Sequence, residues 1–188
     1  MSTPATHGHA VPAAWRFDGF EALDACHRET FRMLEQLDAL LRRLDETGAD
    51  AKARAMAAAI ERHFSRTMRE HHEDEERHVF PALAATADPA TRHTIECLRQ
   101  DHFWLGADWR ELSPLIEAIA HGLSCTDIDA LRHGAEVFGL LCHDHIALEE
   151  QLIYPQACAS MPDAARRTMN QEMAARRRDA LSRSASAH

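Results

Sequence analysis

Residues 71–81 read His-His-Glu-Asp-Glu-Glu-Arg-His-Val-Phe-Pro, and residues 145–155 read His-Ile-Ala-Leu-Glu-Glu-Gln-Leu-Ile-Tyr-Pro. The two stretches share one pattern: a histidine, three residues, two glutamates, three residues, an aromatic residue and a proline. Another histidine precedes each copy at nearly the same distance, His27 by 44 residues and His102 by 43. A repeat of nitrogen and oxygen ligands at matching spacings predicts two half-sites that meet inside one helical domain.

The composition supports a helical protein. The chain has 188 residues, enough for one domain with a substantial core, and contains seven glycines, seven prolines and one tyrosine. Long stretches rich in alanine, leucine, arginine and glutamate favour helices over strands. We therefore predict an all-α fold.

Charge and cysteine usage exclude several classes of protein. The net charge of −9 argues against a nucleic-acid partner, since phosphate binding needs a basic face. No apolar stretch approaches the roughly 20 residues of a membrane span, and the N-terminal sequence lacks the pattern of a signal peptide. The five cysteines are odd in number and widely spaced, which indicates neither a disulfide framework nor a thiolate zinc site. A cytoplasmic location is the expectation.

Capping residues and helix-breaking residues predict the organisation of the chain. We expect an irregular arm over residues 1–17, an up-down-up-down four-helix bundle over 18–158, a short accessory helix over 159–181 and a disordered tail over 182–188. Within the bundle, aspartates cap three of the helices and a proline ends each copy of the motif; these residues are Asp18, Asp50, Asp88, Pro81 and Pro155.

Six polar residues of the repeat lie on the apolar stripes of these helices and should point into the core. Unpaired carboxylates and imidazoles are strongly unfavourable there, whereas carboxylates can bridge two cations and imidazoles can complete their coordination. Each motif histidine lies four residues before its glutamate, so both side chains share one helix face. The predicted metal ligands are His27, His71, Glu75, His102, His145 and Glu149.

Other polar residues near the motif are assigned different roles. Glu76 and Glu150 directly follow Glu75 and Glu149. Either could point inward as an extra ligand, or contact a ligand residue from outside the centre. Cys142 lies one turn before His145 and could reach the surroundings of the metals. His72 is placed on the flank of the stripe, because the second copy has an isoleucine at that position. His63 is expected at the surface.

The doubled His-x-x-x-Glu-Glu-x-x-x-aromatic-Pro motif, with its upstream histidines, resembles the hemerythrin-like (HHE cation-binding) family. The resemblance implies a four-helix bundle around a non-haem di-iron centre with a bridging oxo or hydroxo group; manganese is an alternative metal. It implies that His27 and His71 bind one iron and that His102 and His145 bind the other. Glu75 and Glu149 would be the bridging carboxylates.

One position departs from the oxygen-carrying members of that family. Those proteins have a further histidine one turn after the first histidine of helix three, and this chain has Gly106 there. The sequence therefore predicts a four-histidine variant with two nearly equivalent irons and an open coordination position. We expect such a centre to oxidise quickly when it meets oxygen.

The resemblance leaves several functions open. It implies a small diatomic partner, O2 or NO, and a role in sensing or stress response, which favours a binding or sensing protein over an enzyme. The alternatives are an enzyme that repairs iron–sulfur clusters or reduces NO or peroxide, and a protein that stores or senses iron. No protein partner can be named from the sequence.

Overall fold

The computed structural model of this protein describes residues 17–123 and 127–186, and every regular element within them is a helix. There are five helices: α1 (Gly19–Thr47), α2 (residues 51–84), α3 (Pro89–Ala120), α4 (residues 128–160) and α5 (Asp163–Ser186). Helices α1 to α4 form a ring in which each packs on the next and α4 packs on α1. Short links make successive helices antiparallel. The predicted all-α bundle with an added C-terminal helix is confirmed.

The predicted aspartate caps are present at three helix starts. Side-chain oxygens of Asp18, Asp50 and Asp88 accept hydrogen bonds from backbone N–H groups of the first turns of α1, α2 and α3. Gly48 ends α1 with a φ of +68°, a conformation that favours glycine. These local signals set the helix boundaries.

Proline chemistry predicts that Pro81 ends or kinks its helix and that Pro155 ends its helix, but neither proline ends a helix. A five-residue π-helical segment precedes each proline, and the helix then continues, to Ala84 in α2 and to Ser160 in α4. The wider π turn accommodates a residue that has no N–H, and the proline takes a first-turn position in the next α-helical segment. The two π segments are Glu75–Val79 and Glu149–Ile153, so each begins at a motif glutamate.

Helix α5 is longer than the sequence predicts. It reaches Ser186, beyond the expected end near residue 181, because residues 163–186 contain neither glycine nor proline to interrupt it. Its buried methionines, Met169 and Met173, pack at the start of α1. Gly19 permits this close approach, since a Cβ there would lie 2.6 Å from a Met169 methyl carbon. The predicted arm of residues 1–17 falls, except for Phe17, outside the described residues.

The core consists of two apolar clusters, one towards each end of the bundle. One contains Met33, Leu105 and Phe138, and the other contains Leu23 and Leu98. The motif histidines lie along their helices between members of the two clusters, so a polar layer crosses the bundle. No helix among residues 17–123 and 127–186 combines the length and the apolar character needed to cross a membrane.

Candidate metal centre

Each of the four bundle helices brings one predicted histidine to the polar layer: His27 from α1, His71 from α2, His102 from α3 and His145 from α4. None of these histidines is more than 8% exposed, and Glu75 and Glu149 are fully buried. The hydrophobic periodicity of each helix has therefore turned these polar groups inward. The structure brings all six predicted ligands together.

The first group of ligand atoms comes from His27, His71, Glu75 and Glu149, and these atoms lie within 4.8 Å of one another. His27 Nε2 is 3.0 Å from His71 Nε2 and 3.2 Å from Glu149 Oε2. His71 Nε2 is 3.4 Å from Glu75 Oε1. Two imidazole nitrogens and two carboxylates thus surround one point.

The second group comes from His72, Glu75, His102 and His145, again with ligand atoms within 4.8 Å of one another. Glu75 Oε2 is 3.4 Å from His102 Nε2. Glu149 also reaches this side, because its Oε1 is 3.3 Å from His145 Nε2. Both carboxylates therefore lie between the two groups, and the groups form a single centre with room for two cations.

His72 is half-buried at the flank of the stripe, and the sequence interpretation missed that its ring reaches the second group. Its ring stacks on His102 at 3.9 Å between centroids and 12° between planes, and it meets the edge of the His145 ring at 5.5 Å. Successive helical residues point about 100° apart, so a centre between them can receive both His71 and His72. Gly106 lines the same cavity as His72, and it has no side chain that would occupy part of this cavity.

Glu76 and Glu150 lie behind histidines. Glu76 Oε1 is 2.8 Å from Nδ1 of His102, and Glu150 Oε1 is 3.0 Å from Nδ1 of His27. Each carboxylate belongs to one copy of the motif and supports the upstream histidine of the other copy. These contacts orient the rings so that Nε2 faces the centre. Asp101, which the sequence did not single out, lies 3.7 Å from Nδ1 of His145.

Cys142 belongs to the apolar core and to neither ligand group among the described residues. It is fully buried, and burial raises the pKa of its thiol. A buried neutral thiol of this kind acts as a small apolar side chain. The structure gives no support to the predicted role beside the metals.

Tyr154 adds a hydroxyl group to the centre that the sequence pattern did not reveal. Its ring stacks on His27 at 5.3 Å, and Phe80 of the first copy stacks on His102 at 5.6 Å in the same manner. The hydroxyl donates a hydrogen bond to Glu75. Burial and the neighbouring Glu75 carboxylate raise the pKa of Tyr154 well above its ordinary value, so the phenol keeps its proton.

The charges of the metal-free centre divide unequally. Burial opposes protonation of His102 and His145, but contacts with Glu149 outweigh it, aided at His102 by Glu75 and at His145 by Asp101. These contacts raise the pKa of His102 to about 10 and that of His145 to about 9. Burial holds the pKa of His71 and His72 well below the ordinary value. Contacts with Glu149 also outweigh burial at His27 and raise its pKa, and burial together with Glu149 raises the pKa of Glu75. Protons on the histidines thus offset the charge of the carboxylates when no metal is bound.

His63 is buried, and the expectation that it lies at the surface is wrong. Its Nε2 is 2.9 Å from Oγ1 of Thr30, which supplies the hydrogen bond that a buried imidazole needs. Burial lowers the pKa of His63 to about 4. The residue belongs to neither ligand group and serves the packing between α1 and α2.

A cavity of about 740 Å³ reaches the centre from the α2–α3 side. Its walls are mostly apolar and include Phe64, Trp109 and Phe138, whose rings pack on one another. His72 and His102 of the centre are among its lining residues. The cavity offers small apolar molecules a path to one side of the centre.

Several buried polar atoms at the centre have no hydrogen-bond partner. Buried polar groups in proteins are nearly always hydrogen-bonded, and an unpaired one costs free energy. Here the unpaired atoms include both oxygens of Glu149, Oε2 of Glu75, and Nε2 of His72, His102 and His145. These atoms converge on shared points, so bound cations would satisfy them. Imidazole and carboxylate ligands in this number suit iron or manganese better than tetrahedral zinc.

The comparison with known proteins agrees with this geometry. A protein of Haemophilus influenzae, described as uncharacterized, is 34% identical over 140 residues, which cover 74% of this chain and 78% of that protein. Residues 18–157 match the family described as "Hemerythrin HHE cation binding domain". The match spans the whole bundle and both copies of the motif. The chain therefore belongs to the hemerythrin HHE cation-binding family.

Proposed function

We propose that this protein holds two iron ions between Glu75 and Glu149 and binds a small diatomic ligand, O2 or NO, at that centre. The observation that supports the proposal best is the sharing of carboxylates: Glu75 belongs to both ligand groups, and Glu149 contacts histidines of both. A shared pair of carboxylates keeps two cations close together. A bound iron pair supplies redox-active binding of diatomic molecules.

The residues around the centre provide what such binding requires. Apolar clusters on both sides of the polar layer exclude bulk water. Glu76 and Glu150 hold His102 and His27 in the orientation that directs Nε2 inward. The apolar cavity lined by His72 and His102 offers a route for gas molecules.

Sensing or stress response is the role that we propose with this chemistry. The cysteines among the described residues, Cys26, Cys97, Cys142 and Cys158, are free thiols, which suits the cytoplasm. No feature of the described residues singles out iron–sulfur repair, NO or peroxide reduction, or iron storage. Those alternatives rest on the family resemblance alone.

Anaerobic reconstitution with ferrous iron, followed by optical spectroscopy under O2 and then under NO, tests the proposal. We expect two irons per chain, rapid oxidation to the diferric state under O2, and an adduct under NO. An O2 adduct that lasts for hours and reverses on degassing would favour oxygen carriage instead. Glu75→Ala should lose the paired centre, whereas Glu73→Ala should not, since Glu73 is exposed and paired with Arg69. One tetrahedral zinc per chain, or no metal uptake, would refute the di-iron assignment. Irreversible oxidation without an adduct would favour an enzyme.

A further inference from the structure

We propose that His72 is a fifth histidine ligand, which binds the metal held by His102 and His145 and leaves the other metal with two histidines. This inference rests on the proposed di-iron function and concerns a variable position of the motif, which is histidine in the first copy and isoleucine in the second. It replaces the expectation of two nearly equivalent metals with an asymmetric pair.

The His72 ring has a buried nitrogen without a partner and lies against two predicted ligands, His102 and His145. Nε2 of His72 is buried and has neither a hydrogen bond nor an ion pair. The ring is held against His102 and His145, whose own Nε2 atoms are also buried without hydrogen bonds. The ligand atoms of these three histidines and of Glu75 lie within 4.8 Å of one another. His102 and His145 contact carboxylates through Nε2, whereas Nε2 of His72 does not, which is unfavourable unless it binds a cation. A histidine that served packing alone would have a partner, as His63 has in Thr30.

The second copy of the motif has no histidine at the position equivalent to His72. The position after His145 is Ile146, which is buried and offers no ligand atom. The group around His27 and His71 contains two histidines and two carboxylates. The repeat is therefore broken at one position, and that position decides which metal has more protein ligands.

His72 also borders the apolar cavity. His102 lines the same cavity, and a Cβ at Gly106 would meet no atom within 4 Å. The ring of His72 thus separates the cavity from the metal that we assign to it. Removal of the ring should join the cavity to the metal and admit an external imidazole, because the cavity of about 740 Å³ is far larger than that molecule.

Mössbauer spectroscopy of protein loaded with ⁵⁷Fe tests the assignment. The oxidised wild type should give two unequal doublets of equal area. His72→Ala should change one doublet, weaken iron binding at least tenfold, and recover both properties on addition of imidazole. His145→Ala should lose iron without recovery, because His145 does not line the cavity. His133→Ala, at an exposed position, should match the wild type.

The outcomes separate this inference from the proposed function. Failure of the wild type and His133→Ala to take up two irons refutes the di-iron function itself. Two bound irons with an unchanged spectrum in His72→Ala refute only the role of His72. His72→Gln preserves the size of the side chain if the alanine variant does not fold. A single doublet from the wild type overturns the inference without any variant.

Discussion

Replacement of Glu76 by glutamine should weaken metal binding even though Glu76 lies outside both ligand groups. Glu76 is 47% exposed, yet its Oε1 accepts a hydrogen bond from Nδ1 of His102 at 2.8 Å. The carboxylate holds the ring orientation and increases the basicity of Nε2. Loss of such a supporting group typically lowers metal affinity by about 10- to 100-fold. Glutamine keeps an acceptor oxygen, so we expect a loss near the lower end of this range.

The loss of affinity should appear as a loss of stability only when metal is present. A tenfold weaker site corresponds to about 1.4 kcal/mol at saturating metal. In a chain of this length each kcal/mol shifts the melting temperature by roughly 2–4 °C. The loaded Glu76→Gln variant should therefore melt about 3–6 °C below the loaded wild type. The two metal-free proteins should melt together.

Competition with a chelator of known affinity and thermal unfolding, each with and without metal, measure both quantities. Glu73→Gln is the matched control, since Glu73 is on the same helix and is paired with Arg69 at 3.0 Å. Glu150→Gln should behave as Glu76→Gln does, because Glu150 supports His27 in the same way. Equal affinities for Glu76→Gln and Glu73→Gln would contradict the supporting role.

Four further predictions concern protons and packing. His102 and His145, whose pKa values lie near 10 and 9, must lose their protons to bind metal at pH 7. Calorimetry in several buffers should therefore detect release of at least two protons. Because these pKa values are raised by folding, the metal-free chain should lose stability as the pH rises from about 6.5 through 10 in denaturant titrations. His63 should affect the pH dependence of stability in the opposite direction. Because its pKa is lowered to about 4 by folding, stability should fall as the pH drops below about 6.5. His63→Gln should reduce this loss of stability at acid pH. Gly106→Ala should raise the free energy of unfolding by about 1 kcal/mol, measured by chemical denaturation, because the added methyl group meets no neighbour. Gly134→Ala should not stabilise the protein, since its Cβ would lie 2.7 Å from a side-chain carbon of Leu112.

The exceptions to the local rules explain where sequence reasoning failed. Pro81 and Pro155 normally end helices, but the π segments that begin at Glu75 and Glu149 absorb them. The width of a helical turn depends on contacts with other helices, and periodicity does not show it. A proline inside an otherwise continuous apolar pattern was the available signal.

The helical bundle, its capped helix starts and the six candidate ligands with matching spacing could all be predicted from the sequence. Hydrophobic periodicity decides which face of a helix is buried, and a polar residue on that face is buried with it. The contacts of His72, Glu76 and Glu150 became visible in the folded chain alone. These residues act across helices, and their partners are set by how neighbouring helices are rotated and spaced. His72 on α2 stacks on His102 of α3, and no pattern within one helix records that contact.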